Sequence, residues 1–225
     1  MDYRSWLPDR RSRGGSFSSV TASFRRALIR ALTRMEGIPA TRGMANFLLR
    51  SIFDSLASNW EKIRSEPVYR ESFLAALNQL PRVFPQLSRP PRRILDVACG
   101  TGLASVLLRD QFAGASVTGV DLSPKMVQTA QMLVKGVQFT VANARELPFD
   151  DGTFELVVTV DGVFDETELA RVVAPGGALI ITYTRGGSIP VARALAPIVR
   201  ALTDAGMTAV SDETAAWNVW AYKPV

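Results

Sequence analysis

Histidine is absent from this chain. That removes the commonest general base near neutral pH, a frequent metal ligand, and any nucleophile activated by imidazole. No metal site is expected. Cys99 is the single cysteine, so no internal disulfide can form, and a reducing cytoplasm is the expected setting. No run of 18 or more apolar residues occurs, so no membrane-spanning helix is expected, and the N-terminus lacks the apolar core of a secretory signal. Acidic residues are scarce early on. Residues 1–93 hold 17 Lys and Arg against 7 Asp and Glu, a balance of +10, while residues 94–225 hold 9 against 14, a balance of −5. The overall charge of +5 therefore belongs to the N-terminal third.

What the chain does have is centred on Ile94-Leu95-Asp96-Val97-Ala98-Cys99-Gly100-Thr101-Gly102-Leu103-Ala104-Ser105. The apolar run reads as a strand buried on both faces. Gly100 and Gly102 permit a tight turn with close backbone approach, and the helix starting near Leu103 points its N–H groups into the same space. This pattern begins a nucleotide-type site in a doubly wound α/β sheet. A second apolar strand, 116–120, ends in Asp121, 21 residues after Gly100, where a carboxylate can accept both hydroxyls of a ribose. The dinucleotide pattern G-x-G-x-x-G needs glycine at the position of Ser105, which disfavours a dehydrogenase. Asp96, beside the loop, suits an ammonium-bearing ligand better than a pyrophosphate.

The rest of the chain divides at residue 92/93. Residues 1–92 read as a basic extension and helical lid, and residues 93–225 as the ligand-binding domain. Arg10–Gly15 lie in an Arg-, Ser- and Gly-rich start without a clear element. Its composition shares features with organelle transit peptides, although Asp2 and Asp9 count against that. Helices are expected over 19–35, 43–65 and 67–80, followed by a proline-rich linker through Pro81, Pro85, Pro90 and Pro91. The first of these is basic and amphipathic. It either docks its apolar face on the domain or a second subunit, giving a homo-oligomer, or touches anionic lipid or nucleic acid. Strands are expected at 93–98, 116–120, 137–141, 154–160 and 178–184, with helices near 102–111, 123–134 and 190–205. Such alternation implies a mostly parallel sheet. Two strands near 207–210 and 217–222 complete seven.

Taken together, ILDVACGTG, then GVDLSPKM at 119–126, Asn143–Phe149 with Asp151–Val158, and Ala170–Gly177 resemble the ordered motifs of the class I S-adenosylmethionine (SAM)-dependent methyltransferases. The resemblance runs over residues 53–184. Phe53-Asp54-Ser55-Leu56-Ala57-Ser58-Asn59-Trp60 also resembles the segment that forms a lid in many small-molecule members. It implies a Rossmann-like methyltransferase fold with SAM as cofactor. Gly100, Thr101 and Gly102 would approach the ribose and methionine portion, Asp96 the α-ammonium and Asp121 the ribose hydroxyls. Leu122 or Met126 would pack on adenine. Asn143 would accept from its amino group, where the family often has Asp, and Ala144 would offer a backbone N–H. Ala98 and Thr159 complete the expected cofactor set. Phe53, Trp60 and Tyr183 are the expected lid and acceptor contacts.

Methyl transfer needs alignment more than acid–base chemistry, because the leaving group is built into SAM. The lack of histidine is therefore compatible with catalysis. Asp161, where the substrate-facing loop begins, is the candidate base, with Asp165 and Tyr183 behind it. Glu155 stands where the family usually has Asp, the stretch from Phe154 to Pro175 is short, and the acidic N/D-P-P-Y/F motif is absent. The leading expectation is methyl transfer to a small, partly apolar acceptor, at oxygen or carbon rather than nitrogen. The alternatives are an RNA or protein methyltransferase that uses the basic N-terminus, or a non-catalytic binding or assembly subunit of the same fold. Peripheral membrane contact fits the basic helix; nucleic acid is the weaker partner.

Overall fold

The computed structural model describes residues 16–64, 67–87 and 89–225, so the arginine-rich residues 1–15 and the expected helix end at Ser65 lie outside the described residues. Three helices come first: α1 (Ser16–Glu36), α2 (Arg42–Arg64) and α3 (Pro67–Val83). A regular alternation follows: β1 (Arg93–Val97), α4 (Leu103–Gln111), β2 (Ser116–Asp121), α5 (Pro124–Leu133) and β3 (Gln138–Val141). The chain then continues through β4 (Phe154–Val160), α6 (Glu166–Val172), β5 (Val173–Tyr183), α7 (Leu195–Asp204), β6 (Thr208–Asp212) and β7 (Trp217–Tyr222). The seven strands form one sheet in the order β3-β2-β1-β4-β5-β7-β6. The five strands β3 to β5 pair in parallel, and β7 runs antiparallel to both β5 and β6. This is the expected doubly wound sheet with its antiparallel edge.

Strand composition follows position. β1 and β4, in the middle, are buried almost throughout, whereas the edge strand β3 buries only Phe139. A strand covered on both faces must be apolar at every position, and an edge strand need not be. The carboxyl ends of β1, β2 and β4 are adjacent in the sheet, because Val97 pairs with Val120 on one side and Thr159 on the other. That juxtaposition creates the crevice in which doubly wound sheets bind ligands.

Packing runs across the 92/93 boundary. Ile29, Leu32 and Leu49 of α1 and α2 share one apolar cluster with Leu95, Val157 and Leu179. Phe73, Ala76, Leu77 and Leu80 of α3 share the cluster on the other side of the sheet with Ile94, Leu156 and Ile180. Each large apolar side chain among them contributes about 1.5–3 kcal/mol on burial. Trp220 of β7 donates through Nε1 to the Ala76 carbonyl at 2.8 Å, tying α3 to the sheet.

Among the boundaries that differ from expectation, such as the start of β5 at Val173 rather than 178, two have a clear physical reason. Helix α7 starts at Leu195 rather than near 190. Pro197 lacks an N–H and is tolerated only in a first turn, and a start at Leu195 places it there. Helix α3 continues past Pro81 to Val83; Pro81 is exposed and Phe84, buried in the α3 cluster, anchors the last turn through its N–H to the Leu80 carbonyl at 2.9 Å. Ser123 caps α5 as expected, accepting from Met126 N, with Pro124 in the first position. Glu155 accepts from the backbone N–H groups of Arg92 and Arg93, both at 2.7 Å. Burial opposes its ionisation, but those two donors and the Arg93 guanidinium outweigh it and hold the carboxyl below its usual range. The longer side chain in place of Asp thus pins the linker to the start of β4.

Candidate functional site

The turn after β1 is strongly constrained. Ala98, Gly100 and Gly102 all have positive φ (57°, 55° and 91°). For Ala98 this conformation costs about 1–3 kcal/mol, and strain of this kind clusters where ligands bind. Asp161, at the end of β4, is the other non-glycine residue with positive φ among the described residues, at 53°. The two strained turns touch. A Cβ on Gly162 would lie 2.8 Å from the Ala98 Cβ and 2.3 Å from Thr159 Oγ1, so only glycine fits there.

Asp121 joins the parts. Its Oδ2 accepts from Gly100 N and its Oδ1 from Ser123 N, each at 2.9 Å. One carboxylate therefore fixes the glycine loop relative to the start of α5. Ser123 Oγ donates in turn to Asp54 Oδ1 on α2, which also accepts from Lys125 N at 3.3 Å. Asp54 thereby ties α2 to the N-terminus of α5, where its negative charge also complements the helix dipole.

Above these residues is a cavity that opens partly to solvent. Ala98, Gly100, Asp121, Leu122, Met126, Asn143 and Ala144, all expected cofactor residues, line it, together with Asp161, Phe53 and Trp60. Phe53 and Trp60 meet edge to face with centroids 5.9 Å apart. The Trp60 indole lies directly on the loop, since a Cβ added to Gly100 would come within 2.7 Å of its Nε1. Among the described residues lining the cavity none is basic, while Glu36, Asp121 and Asp161 are acidic. Such a wall disfavours phosphate and favours a cationic ligand.

Several expected contacts lie elsewhere. Asp96 is buried behind the loop and accepts from Ser105 Oγ at 2.6 Å. Ser105 therefore does more than break the dinucleotide pattern: it holds the β1 carboxylate. Thr101, Gly102 and Thr159 are buried and shape the turns without lining the cavity. Tyr183 is a correction. It is fully buried in the apolar cluster with Leu179 and Ile181, away from the cavity, and burial pushes its phenol up. Asp161 lines the cavity, but Thr184 N and Thr184 Oγ1 each donate to one of its oxygens at 2.8 Å. Its carboxylate thus clamps the ends of β4 and β5 together while facing the cavity. Asn143 Oδ1 accepts from Arg145 N at 3.0 Å, so its side chain also closes its own turn.

Sequence reasoning assigned no role to Glu36, Asp54 or Arg145. Glu36 carried a signal, being the lone acid between Asp9 and Asp54. It is buried at the end of α1 and pairs with Arg145 Nε at 2.8 Å, while Arg145 Nη1 reaches Asp165 Oδ2 at 3.0 Å. Asp165 itself caps α6 through its other oxygen.

Residues 94–177 match the family described as "Methyltransferase domain". The chain is 38% identical over 106 residues to a demethylmenaquinone methyltransferase from Thermus thermophilus, covering 42% of this chain and 48% of that protein. It is 35% identical over 129 residues to a norajmaline N-methyltransferase from Rauvolfia serpentina, covering 51% and 44%. The chain thus spans about half the length of the curated relatives it matches. A SAM-dependent methyltransferase from Aquifex aeolicus superposes with a TM-score of 0.55 at 19% identity, over 73% of this chain and 97% of that one. The methyltransferase-domain match over residues 94–177 and the strand order β3-β2-β1-β4-β5-β7-β6 make the core of this chain similar to the class I SAM-dependent methyltransferases.

Proposed function

We propose that this protein transfers the methyl group of SAM to a small, partly apolar acceptor, at oxygen or carbon. The observation that carries the reading is Asp121, which holds the Gly100 loop while lining a cavity roofed by Phe53 and Trp60. SAM fits this donor set. Its sulfonium and ammonium charges suit a wall that is acidic and, among the described residues, without a basic side chain, and its ribose suits Asp121. Ala98, Gly100, Leu122, Met126, Asn143 and Ala144 would contact the cofactor, while Asp96, Thr101, Gly102 and Thr159 would shape the loops behind it. SAM supplies an activated methyl group with a neutral sulfide as leaving group. The protein's share is alignment and exclusion of water. Both relatives carry a small molecule in their names, which supports that acceptor class over RNA or protein. The helices before residue 93 serve as the lid, and the buried Cys99 thiol suits a cytoplasmic setting.

Calorimetric titration with SAM and with its demethylated product, S-adenosylhomocysteine (SAH), tests the reading. Micromolar binding followed by turnover on phenols, quinols or carboxylic acids is expected; binding of neither compound would sink it. Binding without turnover on any acceptor would favour the non-catalytic alternative. SAH should also quench the fluorescence of Trp60. Trp60→Ala should lose that signal and weaken SAH about tenfold, the cost of one aromatic contact.

The lid also presents an outward apolar face. Met44, Phe47 and Leu48 follow helical spacing on α2 and are exposed beside exposed Ile38, with Arg30, Arg34 and Arg50 exposed on the same helix pair. No helix among the described residues is long and apolar enough to cross a membrane. We read this face as a peripheral contact with anionic lipid. Co-sedimentation with phosphatidylglycerol vesicles should fall on Phe47→Ser. Self-association in light scattering that is lost in the same variant, without vesicle binding, would assign the face to a second copy of the chain.

A further inference from the structure

Glu36 has a feature that its ion pair does not explain. Oε1 faces Arg145, but Oε2 is buried with no hydrogen-bond partner among the described residues, and the side chain lines the cavity. The residue is 3% exposed, so water does not readily solvate that oxygen. Leaving a buried carboxylate oxygen without a donor is costly. Nor does Arg145 neutralise the wall, because it is shared between Glu36 and Asp165. One arginine between two carboxylates leaves one negative charge in surplus. The same cavity is also lined by the apolar side chains of Leu49 and Phe53 of α2 and of Val163 after β4.

We propose that Glu36 Oε2 is the recognition point for the methyl acceptor, and that it selects a molecule with an apolar body and an O–H or N–H donor over an anion. The proposal rests on the methyltransferase reading. In that reading the ribose hydroxyls of SAM have a partner in Asp121 and the adenine amino group has one in Asn143. Glu36 comes instead from the lid, together with the apolar side chains that would hold a ring. A carboxylate or phosphate on the acceptor would meet Glu36, Asp121 and Asp161 with no lining cation among the described residues to offset them.

Three probes of one shape test this: 2-naphthol (donor), 2-methoxynaphthalene (no donor) and 2-naphthoate (anion). Each is titrated into the wild-type protein with and without saturating SAH. Naphthol should bind about tenfold more tightly than either of the others, the worth of one hydrogen bond to a charged group. In Glu36→Gln the amide oxygen should turn to Arg145 and leave its NH₂ facing the cavity. The preference should then move toward naphthoate, with SAH affinity unchanged to within about twofold. Equal affinity for all three probes in the wild-type protein, or binding of none, overturns the proposal even if the variant fails to fold. A loss of SAH affinity of about tenfold in Glu36→Gln also overturns it, by assigning the oxygen to the cofactor. Failure of wild-type SAH binding would instead count against the methyltransferase reading, because the probe series can be measured without SAH.

Discussion

Asp121→Ala is expected to weaken SAM and SAH by more than about a hundredfold, since two hydrogen bonds to a charged acceptor contribute about 1.5–3 kcal/mol each. The carboxylate has two tasks. Its oxygens accept from Gly100 N and Ser123 N, and their remaining lone pairs would accept from the ribose. Removing it releases the loop and deletes the ligand contact together. Asp121→Asn should be nearly as damaging despite its matching shape. A carboxylate meets both backbone N–H groups with acceptors, whereas the amide must turn its NH₂ toward one of them. Both variants should fold. The two backbone contacts are only partly buried, and water can replace the lost acceptor, so losing both costs about 1–3 kcal/mol, a drop of about 2–10 °C in melting temperature at this chain length. Calorimetry paired with thermal melts separates the two effects. SAH affinity within about threefold of wild type in a folded Asp121→Ala protein would remove Asp121 from the site, and with it the main support for the proposed function.

How legible this site was depends on how local its determinants are. The strand, the glycine turn, Asp121 and the Ser123-Pro124 cap lie within 31 consecutive positions, 94–124. Each is set by its neighbours in sequence: apolar on both faces, positive φ, carboxylate at a strand end, hydroxyl before a helix. The parts that escaped depend on distant residues. Tyr183 was expected as an acceptor contact, but both faces of its strand are buried. Leu179, Ile181 and Tyr183 face one cluster, while Ala178 and Ile180 face the other. A run that is apolar throughout does not reveal which alternate side chains face a ligand. Asp161 read as a free acid because its partner, Thr184, sits 23 residues away, just past the end of the neighbouring strand. Glu36 and Arg145 meet across 109 positions, with no periodicity to link them. The late start of α7 was readable from Pro197, whose missing N–H confines it to the first turn.

Arg171→Met should produce the largest loss of stability, about 3 kcal/mol, because the guanidinium is the central tie for a whole loop. Its Nη1 donates to the Phe149 carbonyl and to Asp151 Oδ1, both at 2.7 Å, and its Nη2 donates to the Leu147 carbonyl at 3.1 Å. Nε and Nη2 grip the two oxygens of Glu168 at 2.9 and 2.8 Å. Glu168 completes the ring by accepting from Leu147 N at 2.6 Å. Methionine keeps most of the aliphatic bulk but leaves a largely buried carboxylate and two carbonyls without their donor. The loop they hold, 147–151, carries Leu147 and Phe149 into the main apolar cluster, so the cost extends to packing. A fall of about 6–12 °C in melting temperature is expected. The pH dependence gives a second, independent check. The hydrogen bonds from Arg171 hold the Glu168 carboxyl below its usual range, with burial opposing and Leu147 N assisting. A depressed carboxyl stabilises the fold above its unfolded pKa of about 4.5, and that contribution is lost as the pH falls through the lower folded value. Wild-type stability should therefore fall on acidification below about pH 4.5, and Arg171→Met should flatten that fall by taking away the main cause of the shift. Parallel acid profiles for the two proteins would show that Glu168 draws its stabilisation from elsewhere.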